Sequence, residues 1–135
     1  MARAGSNEHA QVLAHVRSLH SRGLLDETRL LDVVRDGNFD RTTVALSIMC
    51  DLPIGLIERA LVQTEPEQLL VFAKAIDLSW ETTKAVLTLQ AGRDGVAKER
   101  LNQCFASFFR LQLKTARSAL QSYRLREQAN RSSVH

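Results

Sequence analysis

Residues 45–61, ALSIMCDLPIGLIERAL, return 26 positions later as residues 71–87, VFAKAIDLSWETTKAVL. Asp51-Leu52-Pro53-Ile54 superposes on Asp77-Leu78-Ser79-Trp80, and Leu61 on Leu87. In each copy an apolar segment meets an Asp-Leu step and a second apolar segment follows. That pattern predicts a helix, a tight turn and a returning helix. A fainter copy precedes them, with Leu25, Leu30 and Val34 standing 27 residues before Leu52, Ile57 and Leu61. One hairpin cannot bury its apolar face alone, but stacked hairpins can. The expectation is an all-α fold, a short α-solenoid of stacked hairpins, with an irregular helical bundle as the alternative.

The flanking punctuation fits helices. Ser6 and Gly23 bracket a first one, carrying Val12, Leu13, Val16 and Leu19. Asp26 can cap a second through Leu30 and Val34, stopped by Gly37. Asp40 is expected to open a third, which ends before Pro53. Pro53 suits the first turn of a fourth. Thr64-Glu65-Pro66-Glu67 reads as a capping box for a fifth, and Ser79 caps a sixth running to Ala91-Gly92. After the loop Arg93-Asp94-Gly95, one long final helix is expected from about Val96 to about Arg126, closing the stack. Residues 127–135 then form a frayed tail. No alternating β-branched run predicts a strand.

That last helix is amphipathic. At ~100° per residue, Leu101, Phe105, Phe108, Phe109, Leu113, Ala116, Ala119, Leu120 and Tyr123 share a broad face expected to dock on the hairpins. Arg110, Lys114, Arg117 and Arg124 lie opposite. They are either a solvated face or a contact surface for an acidic partner.

Composition narrows the classes. The chain has 135 residues, which suits a single domain. With only 6 Gly and 2 Pro, collagen-like and Pro-rich chains are excluded. The longest apolar runs, such as Leu69 to Ala73, fall far short of the ~20 residues of a membrane helix. The N-terminus has no apolar run of signal-peptide type, so a cytoplasmic location is expected. Two isolated cysteines, Cys50 and Cys104, make neither a disulfide framework nor a CxxC site, and they fit a reducing compartment. The net charge of +3 is unevenly spread. Residues 1–92 carry 9 basic and 12 acidic side chains, whereas residues 93–135 carry 9 and 3. Such asymmetry bears on partners, not on fold.

Longer stretches of the chain carry a family resemblance. They are Leu19-His20-Ser21-Arg22-Gly23-Leu24-Leu25, Ala45 to Pro53, and Leu70-Val71-Phe72-Ala73-Lys74-Ala75-Ile76-Asp77-Leu78-Ser79-Trp80-Glu81-Thr82. The order of aromatic, Leu, Thr-Ala and Arg positions from Phe105 to Arg126 adds to it. Together they resemble the uncharacterised family numbered 2336 among domains of unknown function, known mainly from alphaproteobacteria. The resemblance spans about residues 10–126, and Lys74 to Thr82 is its most specific part. It implies a HEAT-like helical fold in a bacterial, cytoplasmic protein. It brings no activity, cofactor or catalytic residue.

Chemistry is thin in the residues themselves. His9, His15, His20 and His135 have no metal-ligand spacing, since His15 and His20, five apart, do not share a helix face. Cys50 and Cys104 read as small buried hydrophobes rather than nucleophiles. Gly92-Arg93-Asp94-Gly95 lacks the phosphate-loop pattern and reads as a turn. Lys74 either lines a groove or lays its stem over apolar surface, its ammonium reaching solvent, Asp77 or Glu81. Trp80 is either a recognition aromatic or a staple on the preceding helix. Residues 72–86 read as helix-turn-helix, but Glu81, Thr82, Lys84, Thr88 and Gln90 make a neutral second helix, unlike a groove reader. No catalytic site, metal or cofactor is expected. The function expected is a non-enzymatic protein-interaction or regulatory module with a protein partner or a homodimer contact. The alternative is a DNA-associated regulator using the basic C-terminal helix.

Overall fold

The computed structural model describes residues 26–92 and 95–134, with Gln11 and Ala14 besides. Of the expected helix between Ser6 and Gly23 only Gln11 and Ala14 are described, both helical; its other residues lie outside the described residues, as do all four histidines. Seven helices are present and no strand occurs among the described residues: α1 (Glu27–Arg35), α2 (Phe39–Cys50), α3 (Ile54–Val62), α4 (Glu67–Ala75), α5 (Trp80–Ala91), α6 (Lys98–Arg110) and α7 (Leu113–Val134). The fold is all-α.

The repeat is present in the backbone. At the end of α2, the Asp51 N–H donates to Ile48 O and the Leu52 N–H to Ser47 O. At the end of α4, the Asp77 N–H donates to Lys74 O and the Leu78 N–H to Ala73 O. Both are the two-bond Schellman ending, registered 26 residues apart. The residue in the left-handed position is an aspartate each time, with φ of 56° at Asp51 and 62° at Asp77. Aspartate tolerates that region better than most residues. The following leucine, Leu52 or Leu78, is buried and pins the turn to the core. Gly37 closes α1 at positive φ, as its position in the sequence predicts.

Helix starts agree less evenly. Asp26 and Ser79 cap α1 and α5 as expected, accepting from the Arg29 and Thr82 amides. α2 is capped by Asn38, which accepts from the Arg41 amide, so Asp40 falls inside the first turn instead of opening the helix. The capping box at Thr64 does not form: α4 has no side-chain cap, and its Pro66 carbonyl accepts from the Leu70 amide. Pro66 holds helical dihedrals already, so the first turn is set by its ring.

The expected single helix from Val96 to Arg126 is two helices. Leu111 ends α6 in an extended conformation, and the Gln112 carbonyl starts α7 by accepting from Ala116. No glycine or proline forces this break. The cause is the phase of the buried stripes. Cys104 and Phe108 are buried in α6, and Ala116 and Leu120 in α7. On one straight helix those two pairs would point roughly 120° apart, so one would face water. The break turns both toward the body. The backbone stays helical to Val134, past Arg126, where the helix was expected to end.

One core serves all seven helices, with Leu30, Val44, Ile57, Leu61 and Phe72 almost wholly buried. α4 is its centre, packing on α3, α5, α6 and most extensively α7. There the Phe72 and Tyr123 rings meet edge to face, 5.4 Å between centroids. α1 packs on α5 as well as α2, a contact that a strictly linear stack of hairpins does not make.

Candidate functional site

The four cations expected to form one basic face separate into two pairs. Arg124 lies half-buried, with Nε and one terminal nitrogen donating to Cys50 O at 3.1 and 2.7 Å, and its other terminal nitrogen to Gln121 Oε1 at 3.3 Å. Arg117, two turns earlier, donates from Nε to Ala75 O at 3.2 Å. Cys50 ends α2 and Ala75 ends α4. Each arginine therefore sits on the carbonyl end of a repeat helix, where unpaired C=O groups and the negative pole of the helix favour a cation. Between them runs an open groove of about 610 Å³ floored by Met49, Ile76 and Leu120. Arg110 and Lys114 are exposed. The Arg110 Nε reaches only Ala106 O of its own helix, at 3.4 Å.

A third arginine of the basic segment behaves like the first pair. Arg100 donates to Thr64 O at 2.6 Å in the connection between α3 and α4. Gln90 supports that connection too, donating to Ala60 O at 2.9 Å and Glu65 O at 3.0 Å. Long polar side chains from the C-terminal half thus satisfy carbonyls at the ends of earlier helices.

The apolar face expected to dock is only partly covered. Phe108 is buried, but Phe105 is 44% and Phe109 75% exposed. The rings form a connected step. Trp80 lies 5.2 Å from Phe105, edge to face, and 5.8 Å from Phe108, while Phe105 lies 6.0 Å from Phe109. Trp80 is therefore half-buried against the core and packs onto α6 through two rings. The Lys74 side chain lies over apolar surface, and its ammonium sits 4.6 Å from the centre of the Phe108 ring in a cation–π contact.

Sequence reasoning passed over Glu27. One carboxylate oxygen accepts from the Ser79 amide at 2.9 Å and from the Ser79 and Thr82 hydroxyls at 2.5 Å each. The group sits at the N-terminus of α5, where amides and helix dipole favour an anion. Burial works against its charge, but the hydrogen bonds from Ser79 and Thr82 prevail and hold its pKa below the ordinary value. Arg35 adds an exposed ion pair to Glu81 at 2.6 Å, the second tie from α1 to α5. The only signal in the sequence was the pairing of an acid in the first turn of α1 with a Ser-x-x-Thr start fifty residues on.

This arrangement bears on the helix-turn-helix reading of α4 and α5. A groove-reading helix offers its N-terminal residues to base edges. Here that end of α5 is occupied by Glu27, and Thr82 is buried.

Both cysteines are buried and unpaired. Burial pushes the Cys50 thiol up to about 12, against the opposing charge of Arg124, so it carries no thiolate at neutral pH. Burial raises Cys104 as well, partly offset by Arg100. Among the described residues, no three His, Cys, Asp or Glu side chains come close enough to hold a metal ion. Nor is any described helix long and apolar enough to cross a membrane.

The family described as "Uncharacterised protein conserved in bacteria (DUF2336)" matches residues 1–121 of the chain. No curated protein and no solved structure gives a significant match.

Proposed function

The chain belongs to the DUF2336 family, and we propose that it works as a non-enzymatic helical-repeat module that docks a protein partner. On this reading the two hairpins are HEAT-like units and the module acts in the bacterial cytoplasm. The observation that supports docking is the exposure of Phe105 and Phe109 beside buried Phe108. The apolar face of α6 is wider than the body it covers, and contiguous exposed aromatics of this kind mark interaction surfaces. Arg110 follows Phe109 directly, and Lys114 stands one turn on, past the break. Among the described residues these two cations, unlike Arg117 and Arg124, make no hydrogen bond or ion pair to an earlier helix. Contact with DNA through the basic segment is the weaker reading, because Arg100, Arg117 and Arg124 are engaged with backbone carbonyls.

The test is a double charge reversal, Arg110→Glu with Lys114→Glu. The variant keeps the melting temperature of the parent, since neither side chain holds the fold, and loses partner capture from a lysate of the native host. Undiminished capture by the folded variant overturns the reading. Capture of duplex DNA that weakens steeply with salt points instead to the nucleic-acid alternative.

A further inference from the structure

We propose that the aromatic step on α5 and α6 receives an acidic amphipathic helix from the partner protein, a claim that rests on the docking reading above. Phe105 and Phe109 stand one turn apart on α6, and Trp80 extends the same apolar strip onto α5. The strip therefore runs along the axis of α6 and steps across onto α5. An occupant with apolar residues at i, i+3, i+4 and i+7 matches that shape.

Charge decides between kinds of occupant. Lys84 follows Trp80 by one turn of α5 and is exposed. Lys98 precedes Phe105 by two turns of α6 and is exposed. Lys74 reaches the Phe108 ring at the strip's inner edge. Arg110 stands at its far end. The one acid beside Trp80 in the helix, Glu81, is paired with Arg35. An apolar strip bordered by cations selects a partner whose polar face is acidic. A second copy of this chain, set against the strip by a two-fold axis, would bring the same lysines toward one another.

Trp80 is the only tryptophan in the chain, so its fluorescence reports on the strip. The full chain is titrated with a synthetic amphipathic helix of about four turns, with Leu and Phe on one face and Glu on the other. A control peptide carries Lys in place of every Glu. The acidic peptide shifts Trp80 emission to shorter wavelength and saturates. Its affinity falls about tenfold in Phe109→Ala and falls again as salt rises. The Lys peptide leaves emission unchanged. Phe109 is exposed, so the variant keeps the parent's melting temperature and circular dichroism.

Equal responses to the two peptides, or no response to either, overturn the proposal. So does self-association in sedimentation that disappears in Phe109→Ala, because the occupant is then a second copy. If neither peptide binds while the double charge reversal still abolishes capture from lysate, the docking reading stands and the acidic helix falls. If capture also survives the reversal, both fall.

Discussion

At Asp51 and at Asp77 the chain makes the same turn, with the same two amide-to-carbonyl bonds and a buried leucine next in line. The two hairpins are nevertheless finished differently. In the first, the helix end before the turn is held by Arg124 through two N–H groups on Cys50 O. In the second, the corresponding end is held by Arg117 through one N–H on Ala75 O. After the turn the inequality reverses. α3 opens on Pro53 with no side-chain cap, whereas α5 opens on Ser79 with Glu27 bound across its first turn. A duplicated local structure has been fixed into one body by unlike long-range contacts, so the copies are equal in the turn and unequal in everything that reaches them from outside.

The clasps should show the largest difference. Arg124→Ala removes a half-buried guanidinium and leaves the carbonyl of fully buried Cys50 unpaired. A charged donor on a helix end in such surroundings contributes about 2 kcal/mol. Arg117 is exposed and makes one bond, so Arg117→Ala costs about 0.5 kcal/mol. Urea unfolding of the two variants measures both. Equal losses would mean that the clasps act only through charge, not through the fork of Arg124. Arg124→Lys sharpens this, because an ammonium keeps the charge and loses the two-pronged contact.

The second inequality is pH-dependent. The folded pKa of Glu27 lies below its ordinary value of 4.5. Its contribution is therefore complete above that value and is lost as pH falls through the lowered one. Glu27→Gln keeps the shape but removes the charge that Ser79 and Thr82 bind. The site is largely solvent-screened, so the loss is about 1 kcal/mol at neutral pH. It should shrink to near zero in acid, where the parent carboxylate is protonated too. Unfolding curves from pH 7 down through the acid range check the sign: the loss should narrow as pH falls below 4.5, and one that stays constant down to acid unfolding contradicts the assignment.

These contrasts also separate what was legible in the sequence from what was not. The helices and the twin turns were legible because their causes are local: an Asp-Leu step after an apolar segment, a glycine at Gly37, a serine at Ser79. The break at Leu111-Gln112 carries no local breaker. It follows from the direction of two buried stripes, and that direction exists only once the body is assembled. The same holds for the basic residues. Helical periodicity places Arg117 and Arg124 away from the apolar stripe, but their targets, Ala75 O and Cys50 O, lie 42 and 74 residues back. A basic segment that looked like a surface for an acidic partner is in part the complement of the chain's own helix ends. Glu27 escaped notice for the same reason, since its partners Ser79 and Thr82 are 52 and 55 residues away. Of the surface proposed for docking, Arg110 and Lys114 were legible. The exposure of Phe109 was not, because periodicity gave it the same face as Phe108.

The smallest expected effect tests the equality itself. Asp51 and Asp77 both hold a left-handed backbone at a helix C-terminus. That conformation costs a residue with a side chain about 1 kcal/mol, less for aspartate than for most. A carboxylate at the negative pole of a helix adds a few tenths more. Glycine removes both costs, and in exchange it gives the unfolded chain more freedom. The balance predicts that Asp51→Gly and Asp77→Gly each stabilise the fold by about 0.5 kcal/mol. Asparagine keeps the tolerance for positive φ and drops the charge, so Asp→Asn at either site should recover only the electrostatic share. Because the turns are the same, the two glycine gains should agree within about 0.3 kcal/mol and add in the double variant. Agreement here, beside the unequal clasps, would locate the asymmetry of the hairpins wholly in their long-range contacts. A gain at one turn and a loss at the other would mean that one aspartate has a partner of its own, and that the repeat is already broken at the turn.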